Sequence, residues 1–299
     1  MNNIIFKFFI FICLLTFMPQ IRAQQVIEIE PLFEYPVAPE ELESLTQRSE
    51  YVVTNFWEPL DTKNQNPVIQ LALDHAFEVF TSAVRWSDDK VSMQAVDKLL
   101  NRVAGNPTLL FQLTKSAERF LYGPKADFWS DAIYLKFIDA TLKNKKISDR
   151  NKEKFMKQAN ALRNTMVGNT APKFSFEESN GKQSEYFPMA TPTIIIFGDP
   201  DDTDWRMARL RLETNTPLSQ AVDKGKINIL YIVDKTEGDW KNTVSNYPTK
   251  WKVGKANDIE SIYDIRRNPT IYLIGSDGKI KNKYMPLDVA VQQALESVQ

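Results

Sequence analysis

The apolar rhythm of this chain of 299 residues changes once, near Met166, and no other feature limits its fold as strongly. Upstream, from about Glu41, apolar residues recur every three or four positions, the period of a helix face. In "NPVIQLALDHAFEVFTSAV" the stripe is Ile69, Leu73, Ala76, Phe80 and Val84, with Pro67 suited to the first helical turn. "SDDKVSMQAVDKLLNRVAGNP" opens on the capping candidates Ser87 and Asp88, repeats Met93, Val96, Leu100 and Val103, and stops at Gly105 before Pro107. Leu110, Leu113, Ala117 and Leu121 mark a further helix. Trp129, Ile133, Phe137 and Ala140 mark another after "YGPKAD", and Phe155, Ala159 and Leu162 a last one. The pattern predicts an all-helical bundle over residues 41–166, preceded by an extended arm over 24–40.

Downstream of "VGNTAPKFSF" short β-rich runs alternate with helical ones. After a small β element at "KFSF" come "TPTIIIF", a helix after Asp204, "INILYIV", a helical stretch near Ile259 to Ile265, "PTIYLIG", "KIKNKYM" and a closing helix from Leu287. The order β-α-β-α-β-β-α implies an α/β domain over 167–299. Its sheet is expected to be mostly parallel, with covered faces and a final hairpin through Ser276, Asp277 and Gly278. The fold class is therefore α + α/β.

The first residues combine Lys7, an apolar run through Met18 and Ala23, which reads as a secretory signal peptide over 1–23; an uncleaved anchor is the alternative. Cys13 is the only cysteine and leaves with that signal, so the processed chain carries no thiol. Disulfides and thiolate catalysis are then excluded, and a zinc site would need carboxylates and one histidine. With 37 basic and 38 acidic residues, net charge gives no argument for nucleic acid. Peripheral membrane association stays open. The expected location is outside the cytoplasm, in the periplasm.

Two motifs carry a resemblance. "GNTAPKF", Gly168 to Phe174, is similar to the Gly-x-x-Ala-Pro-x-Phe entry of exported thioredoxin-like thiol-disulfide oxidoreductases. "YDIRRNPTIYLIGSDGKI", Tyr263 to Ile280, resembles the segment in which those proteins hold a cis-proline at the start of a strand. The resemblance implies a thioredoxin fold over most of 166–299. Helical modules of unassigned function precede such domains in exported bacterial proteins, and this arrangement looks like one of them.

The family's chemistry resides in a Cys-x-x-Cys pair at a helix N-terminus, where the dipole and free N–H groups stabilise a thiolate. Aligned on Phe197 and Pro200, Asp202 stands at the position of the attacking cysteine and Trp205 at that of the resolving one. No catalytic residue and no cofactor follow from this. Asp201, Asp202 or Asp204 suits the helix cap; Asp199, Asp201 and Asp202 also supply oxygen ligands for a weak calcium site, without an EF-hand's spacing. The resemblance further implies that Asn268 and Pro269 dock an extended peptide by strand addition, although a cis-proline also serves simply to shape a turn. Trp205 is expected as an apolar floor for that ligand or as part of a domain interface. Arg266 and Arg267 are expected to balance the acidic turn, and His75 to lie on a helix surface.

The resulting expectation is a binding or scaffolding protein of the cell envelope, with a protein or peptide partner and with Asp202, Trp205, Asn268 and Pro269 as its site. The alternatives are an enzyme of another class, with its site in the helical half or the cleft between halves, and a degenerate thiol-disulfide oxidoreductase relative.

Overall fold

The computed structural model describes residues 30–188, 190–234, 236 and 238–299; the signal segment, Cys13 and the first part of the arm lie outside them. Six helices fill the first half: α1 Leu45–Asn55, α2 Gln70–Val84, α3 Asp89–Val103, α4 Pro107–Leu121, α5 Asp131–Lys143 and α6 Asp149–Asn164. Their starts follow local chemistry. Ser44 and Gln47 form a reciprocal capping box on α1, Asp88 accepts from Lys90 N at 2.8 Å, and Asn106 caps α4 with Pro107 in its first turn. Phe56, Trp57, Phe77, Phe80 and Phe137 meet in one core, and Tyr35 of the arm stacks on Phe56 at 5.2 Å.

Two details depart from the sequence expectation. Helix α2 begins at Gln70, not at Pro67, and Ile69 is 75% exposed. Gln112 of α4 explains it: its side chain accepts from Val68 N at 3.2 Å and donates to Val68 O at 2.7 Å, which satisfies that backbone outside a helix. Trp129 precedes α5, which Ser130 caps, and donates from Nε1 to Gly123 O at 2.9 Å.

The second half holds β1 Phe174–Glu178, β2 Gln183–Tyr186, β3 Thr193–Gly198, α7 Thr203–Glu213, α8 Thr216–Asp223, β4 Asn228–Val233, α9 Trp240–Thr243, β5 Lys252–Lys255, a 3-10 turn Ile259–Ser261, β6 Thr270–Ile274, β7 Ile280–Lys283 and α10 Leu287–Glu296. The seven strands form one sheet in the order β2-β1-β5-β4-β3-β6-β7. It is mixed and not mostly parallel: β3–β4 and β4–β5 run parallel, whereas β1–β2, β1–β5, β3–β6 and β6–β7 run antiparallel. The segment between β5 and β6 holds only the 3-10 turn where a longer helical stretch was expected. Without a crossover helix it delivers β6 reversed beside β3. Tyr263, just past that turn, is fully buried and donates to Pro172 O at 2.7 Å.

Alternate residues of β3 serve opposite faces: Ile194 and Ile196 join one core with Trp205 and Leu212, and Ile195 and Phe197 join the other with Tyr263 and Tyr272. A continuous apolar run is what a strand covered on both faces requires. Residues 31–299 form one compact unit, within which the helical half and the sheet half keep separate apolar cores.

Candidate functional site

Strand β3 ends at Gly198, and the chain turns through Asp199–Asp202 into α7. Asp202 is the N-cap: its Oδ1 accepts from Asp204 N at 2.7 Å and Trp205 N at 3.2 Å. An oxygen thus neutralises the orphan N–H groups that would stabilise a thiolate at this place. Asp199 Oδ1 accepts from Asp201 N at 2.9 Å, and Asp201 faces the hydroxyls of Thr236 and Thr243 at 3.5 and 3.4 Å. Among the described residues no group of three or more His, Cys, Asp and Glu is placed to hold a metal ion.

The loop before β6 meets this turn. The Asn268–Pro269 peptide is cis, and Asn268 Oδ1 accepts from Asp199 N at 3.2 Å. Gly198 is required for the approach, because a Cβ there would overlap Asn268 Oδ1 and lie 2.8 Å from Trp205 Cε3. Asp202, Asn268 and Pro269 therefore converge at one end of the sheet. Beside them a cleft of about 320 Å³ is lined by Asp204, Met207, Arg211, Pro269, Tyr284 and Leu287, among others.

Trp205 takes neither expected role. Its side chain is fully buried in the sheet domain's own core, packed edge-on to Tyr231 at 4.7 Å, with Nε1 donating to Tyr247 OH at 2.7 Å. Trp205, Ala208 and Leu212 recur at the spacing of one helix face, and that face of α7 is the buried one. Trp205 supports the site from beneath and offers no surface to a ligand.

Arg266 also departs from expectation. Its side chain is 2% exposed and turned away from the acidic turn, into the junction with the helical half. Nε donates to Asp264 Oδ1 at 2.9 Å, and Nη2 bonds Asp264 Oδ2 and, at 2.7 Å, Asp131 Oδ1 of α5. Lys283 completes a balanced cluster, 2.9 Å from Asp264 and 3.1 Å from Asp131. Burial alone would raise the carboxyl of Asp264, but the hydrogen bonds and charges of Arg266 and Lys283 hold it below the usual range. Three rings enclose the guanidinium: Tyr122 at 4.1 Å, Trp129 at 4.9 Å and Tyr284 at 5.3 Å. Burial, then the charge of Asp264, raises the Tyr284 phenol well above its ordinary value, so it stays protonated and donates to Asp264 O at 2.6 Å. The sequence offers no local sign of this cluster, since Asp131 lies 135 positions from Arg266. Arg267 is exposed. His75 is 39% exposed on α2, 3.8 Å from Glu78.

A seven-stranded mixed sheet, a helix capped at the end of the interior strand β3 and a cis-proline loop meeting that turn give the second half a thioredoxin-like fold, here preceded by a helical module. The helical segment has a match of its own: residues 18–165 fit the family model described as a domain of unknown function, DUF5106. A thioredoxin-like protein from Bacteroides caccae ATCC 43185 shares the fold across 88% of this chain and 98% of its own, with a TM-score of 0.65 at 18% identity. Two shorter likenesses have TM-scores of 0.40 and 0.39. One is to a conserved protein of unknown function from Bacteroides fragilis (25% identity, 43% of this chain, 98% of that one). The other is to the thioredoxin domain of a thiol-disulfide oxidoreductase from Bacteroides vulgatus (19% identity, 45% of this chain, 99% of that one). A comparison with curated proteins finds no match.

Proposed function

We propose that this is an exported, redox-inactive thioredoxin-like protein that docks an extended protein segment against the loop bearing Asn268 and Pro269. The reading rests on one observation above all. The cis-proline loop is held against the N-terminus of α7, while the position of the attacking thiol carries the capping carboxylate Asp202. A carboxylate that accepts two backbone N–H groups has a structural task and no electron to transfer. The adjoining cleft, with Met207 and Leu287 beside Arg211 and Arg267, gives side chains of an extended segment apolar contacts and polar anchors. Export is part of the proposal and comes from the N-terminal sequence; among the described residues no helix is long and apolar enough to cross a membrane.

The test uses the chain from Gln24 onward with two probes, a carboxymethylated, permanently unfolded model protein as ligand and, separately, insulin as a disulfide-bonded substrate for dithiol-driven reduction. Saturable binding, weakened by Pro269→Ala, is expected, with no disulfide reduction above the dithiol background. Catalysed reduction, or binding indifferent to Pro269→Ala, would overturn the reading.

A second reading places a small-molecule site in the cleft of about 730 Å³ where Tyr122, Lys154 and Gln158 face Ile265 and Arg266. Its support is the buried Arg266 Nη1, which has no hydrogen-bond partner among the described residues. Loss of all binding at the Pro269 loop, together with a ligand-induced melting shift abolished by Lys154→Ala, would favour it.

A further inference from the structure

We propose that the helical module positions the docking loop, so that the junction around Arg266 sets how well the site beside Pro269 receives a peptide. The inference rests on the docking reading above and gives the module of unknown function a task within it.

The loop Ile265–Pro269 is short and is held at both ends. Asn268 ties one end to the α7 turn through Asp199 N. Arg266, two residues earlier, ties the other end to the helical module. Two of the three rings around its guanidinium, Tyr122 and Trp129, belong to that module, and so does the carboxylate of Asp131. Between the anchors only Arg267 projects freely, and its carbonyl accepts from the hydroxyl of Thr270. A loop so held has few conformations to lose on binding, which is how preorganisation raises affinity.

Tyr284 links the junction to the site. Its ring lies 4.8 Å from that of Trp129 and forms one wall around Arg266, and the same residue lines the cleft beside Pro269. Its backbone sits at φ 61°, the left-handed region, where a tyrosine is uncommon; the Tyr284 N to Ile271 O bond at 2.9 Å and the phenol bond to Asp264 O hold it there. Withdrawing Trp129 removes contacts from Arg266 and Tyr284 together, and withdrawing Asp131 removes an ion pair from Arg266 and another from Lys283. Either change weakens one anchor of the docking loop, and the loss of Trp129 also takes the backing from one wall of the cleft, while Asp202 and the α7 cap are untouched.

The test places a reporter thiol in the site. Asp202→Cys in the chain from Gln24 onward supplies a single sulfhydryl, because no cysteine follows Cys13. Two probes carry the same leaving group: 5,5′-dithiobis(2-nitrobenzoate), and Ac-Ala-Val-Cys-Val-Ala-amide activated as its thionitrobenzoate mixed disulfide. In each case the protein thiolate attacks one sulfur, the old S–S bond breaks, thionitrobenzoate thiolate departs and a new protein disulfide forms, with no net oxidation. The ratio of the two rates reads docking apart from thiol reactivity. In the parent the peptide is expected to react about tenfold faster than the small disulfide. Trp129→Ala and Asp131→Ala are each expected to cut that ratio about fivefold and to speed hydrogen exchange at residues 265–270, while leaving the small-disulfide rate within about twofold. Lys136→Ala, on α5 and paired with Asp97, is the control and should change nothing.

A parent ratio of one would refute docking itself. A high ratio that survives both junction variants, with unchanged exchange in the loop, would refute the positioning role and leave docking standing. Should Trp129→Ala unfold, the half-exposed Asp131→Ala decides the question.

Discussion

Replacing Arg266 by methionine tests the buried cluster most directly. Asp264 is 0% and Arg266 2% exposed, so this is an internal ion pair and not a surface one. Removing one member of such a pair strands a charge, at a typical cost of about 3–5 kcal/mol. Lys283, 2.9 Å from Asp264, still compensates it, and the methionine fills part of the ring enclosure, so a loss near the lower bound, about 3 kcal/mol, is expected. At roughly 2–4 °C per kcal/mol that is a fall in melting temperature of roughly 6–12 °C at neutral pH, read by circular dichroism. The acid dependence supplies the sign. In the native protein the carboxyl of Asp264 is depressed, so its contribution is present above the unfolded value of about 3.9 and is lost as pH falls through the folded value. In the variant burial is opposed by Lys283 and no longer by Arg266, so the carboxyl rises from its native value, protonation relieves the stranded charge, and the penalty shrinks as pH falls. Adding Asp264→Leu should recover part of the loss, since Lys283 and Asp131 remain a pair at 3.1 Å. A fall of under about 2 °C at neutral pH, or a penalty that grows on acidification, would refute the reasoning.

Other predictions concern the site. Asp202→Ala leaves the N–H groups of Asp204 and Trp205 uncapped and should cost about 1 kcal/mol in urea denaturation; an unchanged midpoint would show that water caps α7 equally well. Tyr247→Phe strands the buried indole N–H of Trp205 and should cost about 1–3 kcal/mol, with a change in tryptophan emission as the spectroscopic check. Gly198→Ala forces Asn268 and the Trp205 ring apart and should cost about 1–3 kcal/mol; a variant as stable as the parent would mean that the loop moves freely.

How much of this was legible beforehand depends on the range of the interaction involved. Asp88 and Asp202 cap helices by bonding groups two or three residues away, so their roles can be read from short windows. The run Thr193–Gly198 reads as a strand buried on both faces because every residue in it is apolar or small. Strands β2 and β5 are harder to see: Gln183–Tyr186 and Lys252–Lys255 are short and polar and become strands only through their partners. At Gly254 a Cβ would stand 2.6 Å from Glu177 O, so the glycine marks where β1 passes, a fact about a neighbour distant in sequence.

The residues by themselves determined the change from a helical to a β-rich pattern, most of the helix stripes, the caps at Asp88 and Asp202, the run Thr193–Gly198 as a strand and the absence of cysteine beyond Cys13, because periodicity, capping and composition act locally. The tertiary structure decided which way Trp205 and Arg266 point, where α2 begins and which strands run antiparallel. Each of these is settled by partners tens of positions away or more, such as Tyr247, Asp131 and Gln112. Burial of a ring or a charge depends on what the rest of the chain brings against it, and that is set only when the whole chain has folded.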